Sequence, residues 1–250
     1  MDAPQAPRTL RLVVEYDGTD FAGWQRQEGQ RTIQGCLEDG LGQMTGRAVV
    51  VRGAGRTDAG VHAQGQVASV DVVSRIPCLG FLRGLNTLLP PEIAVVEVTD
   101  APTGWNARFA ARGKIYRYQV WNHPVRSPGR ARTSWHVFAP LDTHAMRETA
   151  ALLVGEHDFR AFRAADCERK TTVRIIRRFE VRREGALLSF EIEGTAFLRN
   201  MVRILAGTLV AVGRGKMTLA QVEALLESGD RTQAGVTAPA RGLTMVQVIY

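Results

Sequence analysis

A short glycine-rich segment combines a carboxylate, a guanidinium and an imidazole, side-chain groups that carry proton transfer and bond chemistry in many enzymes. It runs from Gly53 to Ala63 and contains Arg56, Asp58 and His62. Its three glycines indicate unusual backbone dihedral angles or the close approach of a ligand. An ionised Asp in such a loop can act as a nucleophile or a general base. The spacing alone also fits a simpler interpretation, because Asp in a glycine-rich turn commonly accepts a hydrogen bond from a nearby backbone N–H.

The elements that must position this loop follow from the hydrophobic pattern of the first half. Alternation and β-branched runs predict strands at residues 8–16, 49–51, 66–72 and 93–98. Apolar residues at helical spacing predict two helices, one carrying Ile33, Leu37, Leu41 and Met44, the other opening at Pro77 and carrying Leu82, Leu85 and Leu89. The predicted order is β-α-β-β-α-β, with the glycine-rich loop between the second and third strands.

The second half repeats that order. Strands are predicted at residues 115–121, 173–182, 187–193 and 244–250, and helices at 144–154, which Gly155 ends, and at 197–212. Thr218 and Gln221 form a capping box for one further helix. Two such units in series predict an α+β fold of tandem ferredoxin-like or RRM-like halves with antiparallel sheets. The expected domains are residues 1–110 and 111–250.

Charge is distributed unevenly between these halves. Of the 250 residues, 1–110 contain 10 basic and 12 acidic side chains, whereas 111–250 contain 22 basic and 13 acidic ones. A basic half indicates a polyanionic partner. Only three of the 32 basic residues are lysines, and arginine favours bidentate phosphate contacts. A genome with GC-rich codons explains the same preference for arginine.

Several classes of protein are disfavoured by what the sequence lacks. No apolar run approaches the length of a membrane span, and the N-terminus has no signal-peptide pattern, so we expect a cytoplasmic protein. Cys36, Cys78 and Cys167 are odd in number and without CxxC spacing, which indicates neither a disulfide framework nor a metal site. The segment 213–216, Gly-Arg-Gly-Lys, is no P-loop, because Met217 follows the lysine and position 210 is Val.

Several longer motifs follow one another along nearly the whole chain. They occupy residues 15–18, 21–27, 55–62, 84–90, 114–118, 122–123, 155–159 and 197–203. Gly55-Arg56-Thr57-Asp58-Ala59-Gly60-Val61-His62 and the other motifs, in this order, resemble those of the tRNA pseudouridine synthase A family. One departure is Trp105-Asn106-Ala107-Arg108-Phe109, where the family pattern is Phe-His-Ala-Arg-Phe, so Arg108 is retained and the His is not.

The resemblance implies both a fold and an activity. It implies two ferredoxin-like halves that meet at a central basic cleft, a homodimer, and isomerisation of uridines 38, 39 and 40 in the anticodon stem-loop of tRNA, with Asp58 as the catalytic residue. The reaction moves uracil from an N-glycosidic to a C-glycosidic bond, which needs no redox partner or group donor, so we expect no metal and no cofactor. Attack on the sugar, attack on the base and proton abstraction at the ribose 2′-carbon all remain open for Asp58.

The same resemblance implies roles for further residues. Arg203 is the expected ion-pair partner of Asp58, and Tyr116 the ring that stacks on the target uracil and relays a proton. Arg56 is expected to assist base flipping. Arg199, one turn before Arg203 on the predicted helix, and Arg108 are expected to bind substrate. Simpler interpretations exist for most of them. Arg203 and Arg199 fit a solvated basic helix face. Tyr116 fits a strand aromatic packed on the core, and Arg56 fits a loop arginine on phosphate.

Two other functions fit parts of the sequence. A non-catalytic RNA-binding protein with two RRM-like units explains the charge and the fold, although the aromatic run of that motif is missing. A glycosidase acting through Asp58 requires a second carboxyl group roughly 5–10 Å away, and none is evident in the loop. Asp17 and Asp20 fit turn positions better than catalytic ones.

Overall fold

The structure is a computed structural model that describes residues 6–167 and 170–250. It divides the chain into two compact units. The first holds the described residues up to Ala111 together with Met245–Tyr250, and the second holds Arg112–Thr244. Helices and strands occur in both units and the strand pairs are mostly antiparallel, so the chain has a mixed α/β fold of the α+β type. None of the helices in these ranges reaches the length and apolarity needed to span a bilayer.

The first unit has the predicted order of strand, helix, two strands, helix and strand. Its elements are β1 (Arg8–Tyr16), α1 (Ile33–Thr45), β2 (Arg52–Gly53), β3 (His62–Val72), α2 (Cys78–Leu88), β4 (Ile93–Ala101) and the short α3 (Ala107–Ala110). β1 pairs antiparallel with both β3 and β4. Its alternating Leu10, Leu12 and Val14 are fully buried, which confirms the predicted alternation.

The second unit contains more elements than the predicted repeat. It comprises β5 (Gly113–Asn122), β6 (Trp135–Val137), α4 (Thr143–Leu152), β7 (Gly155–Asp158), β8 (Val173–Glu184), β9 (Leu187–Gly194), α5 (Met201–Gly213) and α6 (Leu219–Ser228). The sheet order is β5-β9-β8-β7, with antiparallel pairs, and β6 adds to β5 in parallel. Thr218 and Gln221 form the predicted capping box of α6.

The last strand, β10 (Leu243–Ile249), ends in the first unit. Within that unit β10 neighbours β3, and the strand order is β4-β1-β3-β10, with β2 also pairing with β3. β3 is thus flanked by β1 on one side and by β2 and β10 on the other. The glycine-rich loop connects β2 to β3, so one of its ends continues into β3 and the other joins a strand that pairs with β3.

Three sequence predictions of local structure were wrong. The strand expected at 49–51 lies instead at Arg52–Gly53, because the backbone of Val51 is hydrogen-bonded to side chains of α1 and not to another strand. The Val51 N–H donates to Glu38 Oε1 at 3.0 Å, and its C=O accepts from Gln34 Nε2 at 3.1 Å. Gly155 does not end α4, which stops at Leu152, but opens β7 with φ of 117°.

The third wrong prediction concerns the helix expected at 197–212, which begins only at Met201. Asn200 adopts the left-handed conformation, with φ of 60°, and the Met201 N–H donates to the Leu198 carbonyl at 3.1 Å. This turn interrupts any helix before Met201. Arg199 therefore lies in the turn before α5 and not on the helix with Arg203.

Helix α5 packs so closely that a glycine in its interior is required. A Cβ on Gly207 would lie 1.8 Å from the carbonyl oxygen of Val236. A glycine inside a helix normally costs about 0.5–1 kcal/mol relative to alanine. We expect Gly207→Ala nevertheless to destabilise the protein by about 1–3 kcal/mol, because a backbone carbonyl must move.

The matched variant is Gly42→Ala in α1, where the added Cβ meets only the Arg47 carbonyl at an ordinary 3.5 Å. It should raise the free energy of unfolding by about 0.5–1 kcal/mol. Urea denaturation of both variants measures the change in the free energy of unfolding, which should be negative for Gly207→Ala and positive for Gly42→Ala. Stabilisation by both substitutions would show that α5 is not packed as described.

Candidate active site

The glycine-rich loop between β2 and β3 is held by a second glycine-containing segment, residues 17–25. The Trp24 N–H donates to the Thr57 carbonyl at 3.0 Å, and the Gly60 N–H donates to the Phe21 carbonyl at 3.4 Å. Gly23 has φ of 96°, and a Cβ there would lie 2.6 Å from the Thr57 oxygen. The two segments therefore approach at a distance that only glycine permits.

Beneath the loop lies a buried polar network that sequence reasoning did not identify. The Tyr16 hydroxyl and Thr57 Oγ1 are 2.8 Å apart, and Gln66 Nε2 donates to the Gly55 carbonyl at 2.9 Å. The Gln66 side chain also acts on the Tyr16 hydroxyl, whose pKa it lowers, while Gln66 Oε1 is buried without a hydrogen-bond partner among the described residues. Tyr16 is 3% exposed and Gln66 fully buried. The sequence feature that could have indicated this network is Gln66, which directly precedes the apolar residues of β3. A glutamine buried in a strand needs hydrogen-bond partners for its amide.

Burial has a measurable effect on Tyr16. Desolvation raises the pKa of its hydroxyl to about 12, although the hydrogen bonds with Thr57 and Gln66 oppose that increase. The hydroxyl is therefore neutral at physiological pH and can donate a hydrogen bond. The loop beside Asp58 is thus held by side chains of β1 and β3 as well as by the backbone of residues 17–25.

Asp58 itself starts a tight turn at the centre of the loop. Its carbonyl accepts from the Val61 N–H at 3.2 Å, and Gly60 has φ of 76° at the third position. The residue is half-buried, between the buried Thr57 and the exposed Ala59. A carboxylate at this position is held by a rigid backbone and is accessible to a substrate. That combination suits a nucleophile or general base.

The last residue of the motif, His62, is buried on the other side of the loop. Its Nδ1 accepts from the Gly18 N–H at 3.2 Å and lies 3.1 Å from Asp17 Oδ1. Asp17 Oδ1 also accepts from the Thr19 N–H at 3.0 Å, which confirms the turn role predicted for Asp17. His62 therefore ties the loop to residues 17–19.

Two of the arginines expected to bind substrate lie in the first unit and point into solvent. Arg56 is exposed, and within residues 6–167 and 170–250 its side chain has no hydrogen-bond or ion-pair partner. The same holds for the exposed side chain of Arg108 in α3. Asn106 caps that helix by accepting from the Arg108 and Phe109 N–H groups. Asn106, where the sequence resemblance led us to expect a histidine, is thus a good N-cap.

The remaining predicted residues lie in the second unit. Tyr116, on β5, is 8% exposed and meets Phe197 edge to face, with ring centroids 5.2 Å apart. Arg203, in the first turn of α5, donates from Nε to the Ala238 carbonyl at 2.7 Å and from Nη1 to Asn200 Oδ1 at 3.1 Å. The Ala238 N–H donates in return to the Arg203 carbonyl at 3.1 Å.

These contacts hold the guanidinium groups of Arg203 and Arg199 with different firmness. The guanidinium of Arg203 is fixed by two hydrogen bonds, which leaves its orientation little choice. Arg199 is exposed and forms an ion pair with Asp166, which is also exposed. A surface pair of this kind contributes little, about 0–1 kcal/mol, so Arg199 can exchange Asp166 for another anion.

Comparison with known proteins identifies the family. The model of a family described as tRNA pseudouridine synthase matches residues 12–110 and 149–250. The chain belongs to the tRNA pseudouridine synthase family. Both units are matched, and the first match includes the loop with Asp58, whereas residues 111–148 lie outside it.

Curated members of the tRNA pseudouridine synthase family are similar over almost the full chain. tRNA pseudouridine synthase A of Myxococcus xanthus is 51% identical over 96% of this chain and 91% of that protein. The proteins of the same name from Citrifermentans bemidjiense and Pelobacter propionicus are 46% and 47% identical, over 97% of this chain and 98% and 100% of theirs. The chain is therefore an enzyme, an isomerase of the tRNA pseudouridine synthase family.

The network under the loop predicts how stability depends on pH. Because the pKa of Tyr16 is raised to about 12 in the folded state, the neutral hydroxyl stabilises the fold below pH 10, and this contribution is lost between pH 10 and 12. We expect wild-type protein to lose about 1 kcal/mol more than Tyr16→Phe between pH 9 and pH 11. Urea unfolding at the two pH values measures this difference.

At pH 7 the same variant should be less stable by about 1 kcal/mol, because Thr57 loses its partner. Other buried tyrosines contribute equally to both proteins, so the comparison isolates Tyr16. Parallel curves for the two proteins from pH 9 to 11 would contradict the buried position of the hydroxyl.

Proposed function

We propose that the protein isomerises uridine to pseudouridine at positions 38, 39 and 40 of the tRNA anticodon stem-loop, with Asp58 as the catalytic residue. The observation that carries this proposal is the position of Asp58. It is half-buried in a turn closed by Gly60, and it directly follows Thr57, whose carbonyl accepts from the Trp24 N–H and whose hydroxyl is hydrogen-bonded to the Tyr16 hydroxyl. The relatives are named for the synthase activity. The anticodon positions come from the resemblance of the sequence motifs.

A carboxylate is suited to the reaction whichever route it takes. The N-glycosidic bond breaks, the uracil turns and C5 joins the ribose. C5 then loses its proton to solvent and N1 gains one, so atoms and electrons balance without a cofactor. Asp58 can serve as a nucleophile towards the sugar or the base, or take a proton from the ribose 2′-carbon. All three routes require the target nucleotide to leave the helical stack, which costs a few kcal/mol.

Arg56 is proposed to hold the nucleotide while it is out of the stack. It lies two residues before Asp58 in the same loop, and its guanidinium is exposed and has no partner among the described residues. A free guanidinium next to the catalytic carboxylate can form bidentate bonds with a phosphate without breaking an existing interaction.

Arg203 and Tyr116 are proposed to complete the catalytic group. Two hydrogen bonds orient the Arg203 guanidinium, which leaves further N–H donors for the Asp58 carboxylate. A pre-oriented cation of this kind stabilises an ionised carboxylate at low entropic cost. Tyr116 is proposed to stack on the target uracil and to relay a proton, and its edge contact with Phe197 fixes the ring.

Arg199 and Arg108 are proposed to bind the phosphates of the substrate. Among the described residues Arg199 has only a surface ion pair to exchange, and Arg108 is exposed on a capped helix. We further propose the finer architecture that the sequence implies: two ferredoxin-like halves with a central basic cleft, in a homodimer that works in the cytoplasm. In the first unit β1 lies between β4 and β3, and β2 pairs with β3 beside the main strand order, which supports a ferredoxin-like half.

The catalytic assignment of Asp58 predicts a specific loss. Asp58→Asn should abolish release of tritium from tRNA labelled at uracil C5 and retain tRNA binding, because the amide fills the same space without a negative charge. Asp20→Asn, in a turn of the first unit, is the matched control and should retain turnover. Tritium release by Asp58→Asn near the wild-type rate would exclude the assignment, and release of free uracil by the wild type would indicate base hydrolysis instead.

Arg56 and Arg203 should fail in different ways. Arg203→Ala removes the donor to the carbonyl of Ala238, a fully buried residue, and should lower the free energy of unfolding by about 1–3 kcal/mol. Arg56→Ala removes no described contact, so its stability should stay within about 0.5 kcal/mol of wild type while turnover on a base-paired target falls.

A tRNA with the target uridine mismatched separates the two roles. It has already lost part of the stacking and pairing energy, so it should partly rescue Arg56→Ala but not Arg203→Ala. Arg47→Ala, which removes another exposed arginine of the first unit, is the control and should behave as wild type on both substrates. Equal rescue of both variants, or of neither, would refute this division of roles.

A further inference from the structure

One long stretch of the chain contains basic residues and no acidic ones. From residue 101 to residue 141 the sequence contains seven basic and no acidic residues. Most of it lies in residues 111–148, which the family model does not match. The match to the family model therefore says nothing about the charge of most of this stretch.

The central part, residues 123–139, follows β5 and is termed here the arginine loop. Its backbone is fixed at several points. Asn122 Nδ2 donates to the carbonyls of Val137 and Ala139, Ser134 Oγ donates to the Arg130 carbonyl at 2.8 Å, and Trp121 Nε1 donates to the Val125 carbonyl at 3.0 Å. The segment is long for a connection, yet β6 and these bonds give it a defined conformation.

Of the three arginine side chains in the arginine loop, that of Arg132 takes part in an interaction within the described part of the chain and those of the other two do not. Arg126 and Arg130 are exposed, and neither side chain has a hydrogen-bond or ion-pair partner in the part of the chain that the structure describes. Val125 and Phe138 are also exposed, at 64% and 67%. Two unpaired guanidinium groups on a fixed backbone, without a carboxylate in the stretch, form a surface that attracts phosphate.

We propose that the arginine loop is a second contact surface for the tRNA substrate, in which Arg126 and Arg130 bind phosphodiester groups distant from the reacting nucleotide. This inference rests on the proposed function. Tyr116 and Asn122 lie on the same strand, six residues apart, which corresponds to about 20 Å. If Tyr116 stacks on the target uracil, the arginine loop contacts the tRNA backbone well away from it.

The position predicts an effect on binding but not on chemistry. The double variant Arg126→Ala/Arg130→Ala should raise KM for full-length tRNA at least about fivefold, with kcat unchanged, because phosphate contacts set affinity. The slope of log affinity against log salt should decrease by about 1.5–2, which corresponds to two lost phosphate contacts. Arg126→Lys/Arg130→Lys should restore most of the salt slope because the charges return.

The control is Arg47→Ala/Arg83→Ala, which removes the same charge from two exposed arginines of the first unit that also lack described partners. Binding is measured with fluorescent tRNA and turnover by tritium release, so failure of the two proposals can be distinguished. Wild-type protein that binds tRNA but releases no tritium refutes the proposed function alone. The proposed role of the arginine loop is refuted if the alanine variant keeps the wild-type KM and salt slope, or if the control variant loses as much tRNA affinity. It is also refuted if light scattering shows that the alanine variant has a changed oligomeric state.

Discussion

The arrangement around Asp58 depends on how Thr57 is held. Its carbonyl accepts a hydrogen bond from the Trp24 backbone, and its hydroxyl meets the buried hydroxyl of Tyr16. The residue immediately before the carboxylate is thus fixed on both its backbone and its side chain. Gly23 makes this possible, since any Cβ there would collide with the Thr57 oxygen. The loop therefore behaves as part of the sheet, although it contains three glycines, and this rigidity is what positions a catalytic group.

The arginines of the enzyme differ in how they are held, and that difference organises their proposed roles. Arg203 is fixed by the Ala238 carbonyl and the Asn200 side chain, as suits a residue that orients another charged group. Arg56, Arg126 and Arg130 have no described partner and stand in solvent. Free arginines pay no penalty for breaking an earlier contact, so they suit a polyanion that binds and leaves in every cycle. Arg199 lies between these cases, with one weak surface pair.

Asn106, where the sequence resemblance led us to expect a histidine, has a clear structural role at the start of α3. Its side chain accepts from two backbone N–H groups at the start of α3, which leaves Arg108 on the exposed side of that turn. Asparagine is among the best residues for this position. In this chain Asn106 therefore has a structural role, because it caps the short helix that carries Arg108. Family resemblance identified the departure, and only the hydrogen bonds explained it.

The sequence alone determined the element order of the first unit, the capping box of α6 and the family, because hydrophobic alternation, capping residues and ordered motifs are local properties of the chain. It could not determine where β2 lies, because the Val51 backbone bonds to side chains of α1, 13 and 17 residues earlier. Nor could it place the start of α5, which depends on the left-handed Asn200, or find the Tyr16–Thr57–Gln66 network, whose members come from three separate segments. These features arise from contacts distant in sequence, and such contacts form only when the sheet brings the segments together.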